Sequence, residues 1–212
     1  MALYLDSAII AEAAEVCQWG WVNGVTTNPT LLAKNNLSAQ ETLTQLKEIF
    51  TGEIYYQLTA SDFDEMVVEG EAAFNLLGKQ TVLKIPATEL GFKVLAHLSP
   101  KINCSVTAIY SAAQAAVAQQ AGAKYAIAYV NRATRLLGDG IGLVKQMAEV
   151  LAGSDTKILA ASIKSPEEAA ATIAAGAYHL TLPFGILKAM TTHELSEKTV
   201  EEFNQAGIGL FS

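Results

Sequence analysis

Lys84 sits in the run Val82-Leu83-Lys84-Ile85-Pro86, a charged side chain among apolar neighbours that read as a strand. A charge in such a place is costly unless it is paired or used. Burial disfavours the ammonium ion, and a neutral amine can attack a carbonyl carbon. The product is an imine, an electron sink that lets a carbon–carbon bond beside it break or form. From the residues alone a second reading stays open. Lys84 could snorkel at a strand end, paired to a carboxylate such as Asp6.

Other polar residues recur at the ends of apolar runs: Asp6, Thr26-Thr27-Asn28, Gln57, Thr107, Tyr129, Asn131-Arg132 and Ser162 with Lys164. Asp6 can accept a proton or hold a substrate hydroxyl, or simply cap a strand end. Gln57 and Tyr129 can hold a water, and a tuned phenol gives or takes a proton. Their bland counterparts are a satisfied buried amide and phenol. Arg132 and Ser162 suit a phosphate, or else a surface ion pair and a helix cap. Metal chemistry finds little support, because His97, His179 and His193 are scattered without ligand spacing. Asp62, Asp64 and Glu65 read as a helix start. Cys17, on a helix, and Cys104, in a strand, are expected to be buried small apolar residues. Neither G-x-G-x-x-G nor G-x-x-x-x-G-K occurs.

The elements that must carry these residues follow from periodicity. Eight short β-branched runs, near 3–7, 24–28, 54–59, 81–86, 102–109, 125–131, 157–163 and 179–183, alternate with Ala-rich amphipathic stretches. Their spacing of roughly 20–30 residues is that of a β-α unit with short loops. The strands are apolar on both faces, as parallel strands covered by helices must be. This predicts an α/β fold, a compact (β/α)8 TIM barrel smaller than the typical ~250 residues. A doubly wound sheet would place a glycine-rich loop after its first strand, where this chain has Asp6-Ser7-Ala8. In such barrels the chemistry sits at the C-terminal ends of the strands, where the polar residues above fall.

Residues 1–212 read as one barrel domain, with 193–212 an extra C-terminal helix and tail. Leu195, Val200 and Phe203 share a side of that helix, and Ile208-Gly209-Leu210-Phe211 is apolar. The segment packs either on its own barrel or on a neighbouring subunit.

Composition bounds the rest. The chain has 212 residues, 51% hydrophobic and 17% charged, which excludes a disordered polymer. Charge, Gly or Pro breaks every apolar run well short of the ~18 residues of a membrane span. The first residues lack the features of a signal peptide. Two cysteines are too few for a disulfide scaffold, so a cytoplasmic location is expected. With 14 Lys+Arg against 21 Asp+Glu, the net charge of −7 argues against a nucleic-acid partner.

Gly24-Val25-Thr26-Thr27-Asn28-Pro29-Thr30-Leu31-Leu32 resembles the signature of the transaldolase family. Leu83-Lys84-Ile85-Pro86 resembles that family's Schiff-base lysine strand. Leu3-Tyr4-Leu5-Asp6-Ser7, Val106-Thr107-Ala108-Ile109-Tyr110, Tyr129-Val130-Asn131-Arg132 and Ala160-Ala161-Ser162-Ile163-Lys164 match in the family's order, over nearly the whole chain. The likeness is to the small subfamily that contains fructose-6-phosphate aldolase. It implies a barrel that works through Lys84 with no metal and no cofactor on sugar phosphates, and a homo-oligomer, pentamer or decamer. It also moves the C-terminal helix toward a neighbouring subunit.

Two positions separate the family's activities. Transaldolases of this kind carry a Glu where this chain has Gln57, and usually a Phe where it has Tyr129. Gln and Tyr follow the aldolase pattern, whereas Thr30 departs from a common Ser and Cys104-Ser105-Val106-Thr107 has the transaldolase style. The resemblance then implies these roles. Lys84 is the nucleophile, and Tyr129 acts through a water held by Gln57 and Thr107. Asp6 and Asn28 position hydroxyls, Thr26 and Asn131 also belong to the substrate site, and Arg132 and Ser162 hold the phosphate. The expected activity is a class I aldolase acting on fructose 6-phosphate. Alternatives are a transaldolase and an inactive sugar-phosphate-binding barrel; the intact Lys84, Asp6 and Tyr129 argue against the last.

Overall fold

The computed structural model describes residues 1–210, so Phe211 of the apolar tail lies outside the described residues. Eight parallel strands close in chain order: β1 (Ala2–Asp6), β2 (Val22–Thr26), β3 (Glu53–Gln57), β4 (Thr81–Pro86), β5 (Asn103–Ile109), β6 (Tyr125–Tyr129), β7 (Lys157–Ala161) and β8 (His179–Leu182). β8 returns to pair with β1, with Ala2 opposite His179 and Leu5 opposite Leu182. The fold is the (β/α)8 barrel that the alternation predicts.

Helices α1 (Ile10–Gln18), α2 (Pro29–Leu32), α3 (Ala39–Ile49), α4 (Phe63–Leu77), α5 (Glu89–Leu98) and α6 (Ala112–Gln120) cover the first half of the barrel and its fifth strand. The remainder are α7 (Val130–Leu137), α8 (Gly140–Val150), α9 (Pro166–Ala174), α10 (Phe184–Ala189) and α11 (Glu194–Ala206). Their starts are chemical. Ser38 and Glu41 form a reciprocal capping box at α3, Asp62 caps α4, Thr88 caps α5, and Ser165 followed by Pro166 opens α9. Each such cap contributes about 1 kcal/mol by satisfying an orphan N–H. The main core lies between strands and helices and includes Leu46, Ile54, Leu83, Leu95 and Met147. A side chain of that kind, fully buried, contributes about 1.5–3 kcal/mol.

A second apolar cluster fills the barrel: Tyr4, Tyr55, Val82, Tyr125, Ile127 and Leu159. The two-residue period of a strand then dictates what comes next. Two residues on from Tyr4, Tyr55, Val82 and Ile127 stand Asp6, Gln57, Lys84 and Tyr129, at the C-terminal mouth.

Two expectations need correction. Several strands end earlier than their apolar runs suggest; β6 stops at Tyr129 and the chain turns directly into α7, so Asn131 and Arg132 are helical. Cys104 is buried, and burial pushes its thiol up to about 12, but Cys17 is exposed on the outer face of α1. The C-terminal helix has no buried residue, and Leu195, Val200 and Phe203 are all more than half exposed.

Candidate active site

Lys84 is held in the middle of β4 by pairing on both sides, to Gln57 of β3 and Ser105 of β5. Its side chain is 3% exposed, and its Nζ donates to the backbone carbonyl of Thr27 at 2.9 Å. That carbonyl is itself fixed, because both the N–H and the hydroxyl of Thr27 donate to Tyr55 O. Among the described residues the ion pairs join Lys93 to Glu89 and Lys124 to Glu53; Lys84 belongs to neither. The alternative of a lysine tied to Asp6 is therefore not the arrangement found. A backbone dipole orients the amine without neutralising it by a carboxylate.

Lys84 opens into a cavity of about 480 Å³ at the C-terminal mouth. Asp6, Asn28, Gln57, Tyr129, Arg132 and Ser162 line it together with the lysine. These six come from β1, the β2–α2 turn, β3, β6, α7 and the turn after β7, so only barrel closure brings them together. Asn28 caps α2 by accepting the Leu31 N–H at 3.0 Å, which leaves its amide N–H groups for a ligand. The Tyr129 hydroxyl lies 2.9 Å from the Thr107 hydroxyl, and the Arg132 guanidinium sits 5.1 Å from the centre of the Tyr129 ring.

The backbone beside Tyr129 is strained. Ala108 and Ser162 hold positive φ angles of 58° and 60° without being glycine. Such conformations cost about 1–2 kcal/mol and gather at functional sites. Ala108 interrupts the β5–β6 pairing between Val106 and Ile109, a bulge immediately after Thr107. Gly24 answers a different demand, since any Cβ there would collide with the Glu53 carbonyl of the adjacent strand.

Three residues expected at the site lie behind its lining. Thr107, Thr26 and Asn131 do not line the cavity. Thr107 reaches it through Tyr129, and Thr26 donates to Asp6 Oδ1 at 2.9 Å. Asn131 donates its side-chain amide to Glu168 at 3.2 Å and its backbone N–H to Ser162 O at 3.0 Å. Conversely, Lys34 lines the cavity without having been singled out, and Thr30 and Lys164, noted in the sequence but given no role, line it too. Lys34 gives no sequence signal, because it follows a four-residue helix and reads as an ordinary surface lysine. Lys34, Arg132 and Lys164 make the rim cationic although the chain carries a net −7.

A larger cleft, about 620 Å³, lies outside the barrel between α3 and α4. Its carboxylate, Glu69, already accepts from the Tyr56 hydroxyl and the N–H groups of Thr59 and Ala60. Burial raises that carboxyl, but these hydrogen bonds outweigh it and hold it below the usual range. The cleft has a structural acid and no nucleophile, so chemistry points to the mouth. Among the described residues no three of His, Cys, Asp and Glu gather to hold a metal ion. None of the described helices is long and apolar enough to cross a membrane.

Solved structures similar to this chain share its fold at low identity. A mandelate oxidase superposes with a TM-score of 0.65 at 15% identity, over 97% of this chain and 74% of that one. An inosine 5′-monophosphate dehydrogenase from Legionella pneumophila gives 0.63 at 12%, over 87% of this chain and 58% of that one. These show a barrel and nothing of its chemistry. Relatives named probable transaldolase are much nearer. That of Symbiobacterium thermophilum is 36% identical over 96% of this chain and 95% of its own length. That of Brevibacillus brevis is 34% identical over 96% of both. The Transaldolase/Fructose-6-phosphate aldolase family profile matches residues 3–210, and with Lys84 at the barrel mouth the chain belongs to that family.

Proposed function

We propose that the protein is a class I aldolase that cleaves and forms fructose 6-phosphate. The observation that carries this reading is the Tyr129 hydroxyl, 2.9 Å from Thr107 on a cavity lined also by Gln57 and Lys84.

The amine of Lys84 attacks the ketone, and loss of water gives the imine. Tyr129, through a water held with Gln57 and Thr107, takes the proton of the C4 hydroxyl. The C3–C4 bond breaks, its electron pair passes into the iminium as an enamine, and glyceraldehyde 3-phosphate leaves. Reprotonation and attack of water free dihydroxyacetone and regenerate Lys84. Asp6 and Asn28 orient the hydroxyls, while Arg132 and Ser162 hold the phosphate. A phenol and a neutral amide at Tyr129 and Gln57 favour this last hydrolysis; a Phe would remove the proton donor.

The names of the relatives favour a second reading, transfer of the dihydroxyacetone unit to an acceptor aldehyde. Incubation with fructose 6-phosphate and no acceptor separates the two. Release of free dihydroxyacetone is expected. Silence without acceptor, followed by transfer once erythrose 4-phosphate is added, would establish the transaldolase instead. The neighbour inferred for α11 is a second copy of this chain, supported by exposed Leu195, Val200 and Phe203. Light scattering at the mass of a monomer would exclude it.

A further inference from the structure

We infer that Thr181 is a positioning residue that acts through Thr26 on Asp6. The inference rests on the role given to Asp6 above and adds a group from β8.

Thr181 is 2% exposed and Thr26 is 1% exposed, both inside the barrel wall. Their hydroxyl oxygens lie 2.6 Å apart, and the Thr26 hydroxyl is also 2.9 Å from Asp6 Oδ1. The first contact alone leaves its donor open, but the second fixes it by proton count. The Thr26 hydroxyl donates to Asp6 Oδ1, and it has only that one hydrogen to give. Thr26 must then accept from Thr181. The direction is Thr181 to Thr26 to Asp6, across β8, β2 and β1.

Two consequences follow. Oδ1 of Asp6 is occupied, which leaves Oδ2 for a substrate hydroxyl in the cavity that Asp6 lines. The Thr26 hydroxyl is also held in one rotamer, because turning away would break two hydrogen bonds in a place shielded from solvent. Val has nearly the shape of Thr, so a change at 181 that matters must come from the lost hydroxyl and its hydrogen bond. The run Leu180-Thr181-Leu182-Pro183 gives no hint of this role.

The test compares Thr181→Val and Thr181→Ser in the intact protein and in an Asp6→Ala background, with fructose 6-phosphate as the probe. Steady-state rates and borohydride trapping of the Lys84 adduct are both read. Thr181→Val is expected to lower kcat about ten-fold with KM within about two-fold, and Thr181→Ser to restore it. In the Asp6→Ala background the Val substitution should cost less than about two-fold, because the group it acts through is gone. A Val variant at full speed overturns the inference, as does an equal loss in both backgrounds, which marks a merely structural hydroxyl. Should Thr181→Val not fold, Thr181→Ala carries the same comparison. A wild-type protein that gains no borohydride-stable adduct overturns the Schiff-base reading itself. One that is trapped while Thr181→Val keeps full rate leaves that reading standing and removes only Thr181.

Discussion

The two ends of the barrel are built from the same strands, yet they treat charge in opposite ways. At the floor, Glu53 accepts hydrogen bonds from Tyr4 at 2.8 Å, Tyr55 at 3.0 Å, Tyr125 at 2.9 Å and Lys124 at 2.7 Å. Burial raises this carboxyl, but Lys124 and the phenols outweigh it and hold it below the usual carboxylate range. The same packing drives Tyr4, Tyr55 and Tyr125 upward, through burial first and the Glu53 charge second. Four donors converge on one acid. At the mouth, level with Gln57 and so four residues above Glu53, Lys84 meets a single backbone carbonyl and about 480 Å³ of open cavity. A floor with its charges matched to one another supplies rigidity, and a mouth with a charge left for a ligand supplies chemistry.

The largest test of that contrast is Lys84→Met, which keeps the volume and removes the amine. Activity should fall at least about 10³-fold and the borohydride adduct should vanish, while the thermal midpoint holds or rises. A large drop in midpoint would show that Lys84 supports the fold as Glu53 does. Glu53→Gln should do the reverse. It weakens the four hydrogen bonds to a carboxylate, three of them from buried phenols, at a cost of about 2–3 kcal/mol. That corresponds to roughly 5–10 °C in a chain of this size, with KM unchanged. If kcat falls with stability intact, floor and mouth are coupled and the division fails.

The third test reads pH dependence, which bears on stability alone. His179, on β8 beside the floor, accepts the Ala2 N–H at Nδ1 and is lowered to about 4 from 6.5 by burial and then by the amino-terminal charge. A depressed value means that the folded state prefers the neutral ring. Its contribution is complete above about 6.5 and is lost as pH falls toward 4. The lowered carboxyl of Glu53 adds a loss of the same sign further into acid. Thermal midpoints recorded between pH 7 and pH 4 should decline, and a flat profile would remove the floor from the stability account.

Much of the mouth was legible because its residues break a rule. Lys84 interrupts an apolar strand, Gln57 and Tyr129 end strands of mostly apolar residues, and Asn28 closely follows one. The eight strands themselves were legible from their spacing. What could not be read depends on closure. Lys34 looks like any exposed lysine until the α2–α3 connection is seen against the cavity, and Thr181 looks like a core threonine until Thr26 is seen 2.6 Å away, 155 positions earlier. The Cys17 expectation failed for a related reason. Its neighbour Val16 is fully buried, and one step of about 100° around a helix carries the next side chain to the outside. The floor escaped notice entirely, because Glu53 precedes Ile54-Tyr55-Tyr56 and reads as the polar start of a strand.

The pairing of Ala2 with His179 carries a further consequence, for the order of events as the chain folds. Contacts between strands adjacent in the chain can form as each is made, but β1 keeps an unpaired edge until a segment 177 positions later arrives. Before that moment a partly folded chain exposes two free parallel edges, the kind of surface on which other chains add. The final pairing is also the one with the greatest loop-closure cost, so barrel closure should be the slow step of folding. It is also the step that assembles the mouth, since Thr181 reaches Thr26 and Asp6 only when β8 docks. Until the ring shuts, Lys84 is an amine on an open sheet.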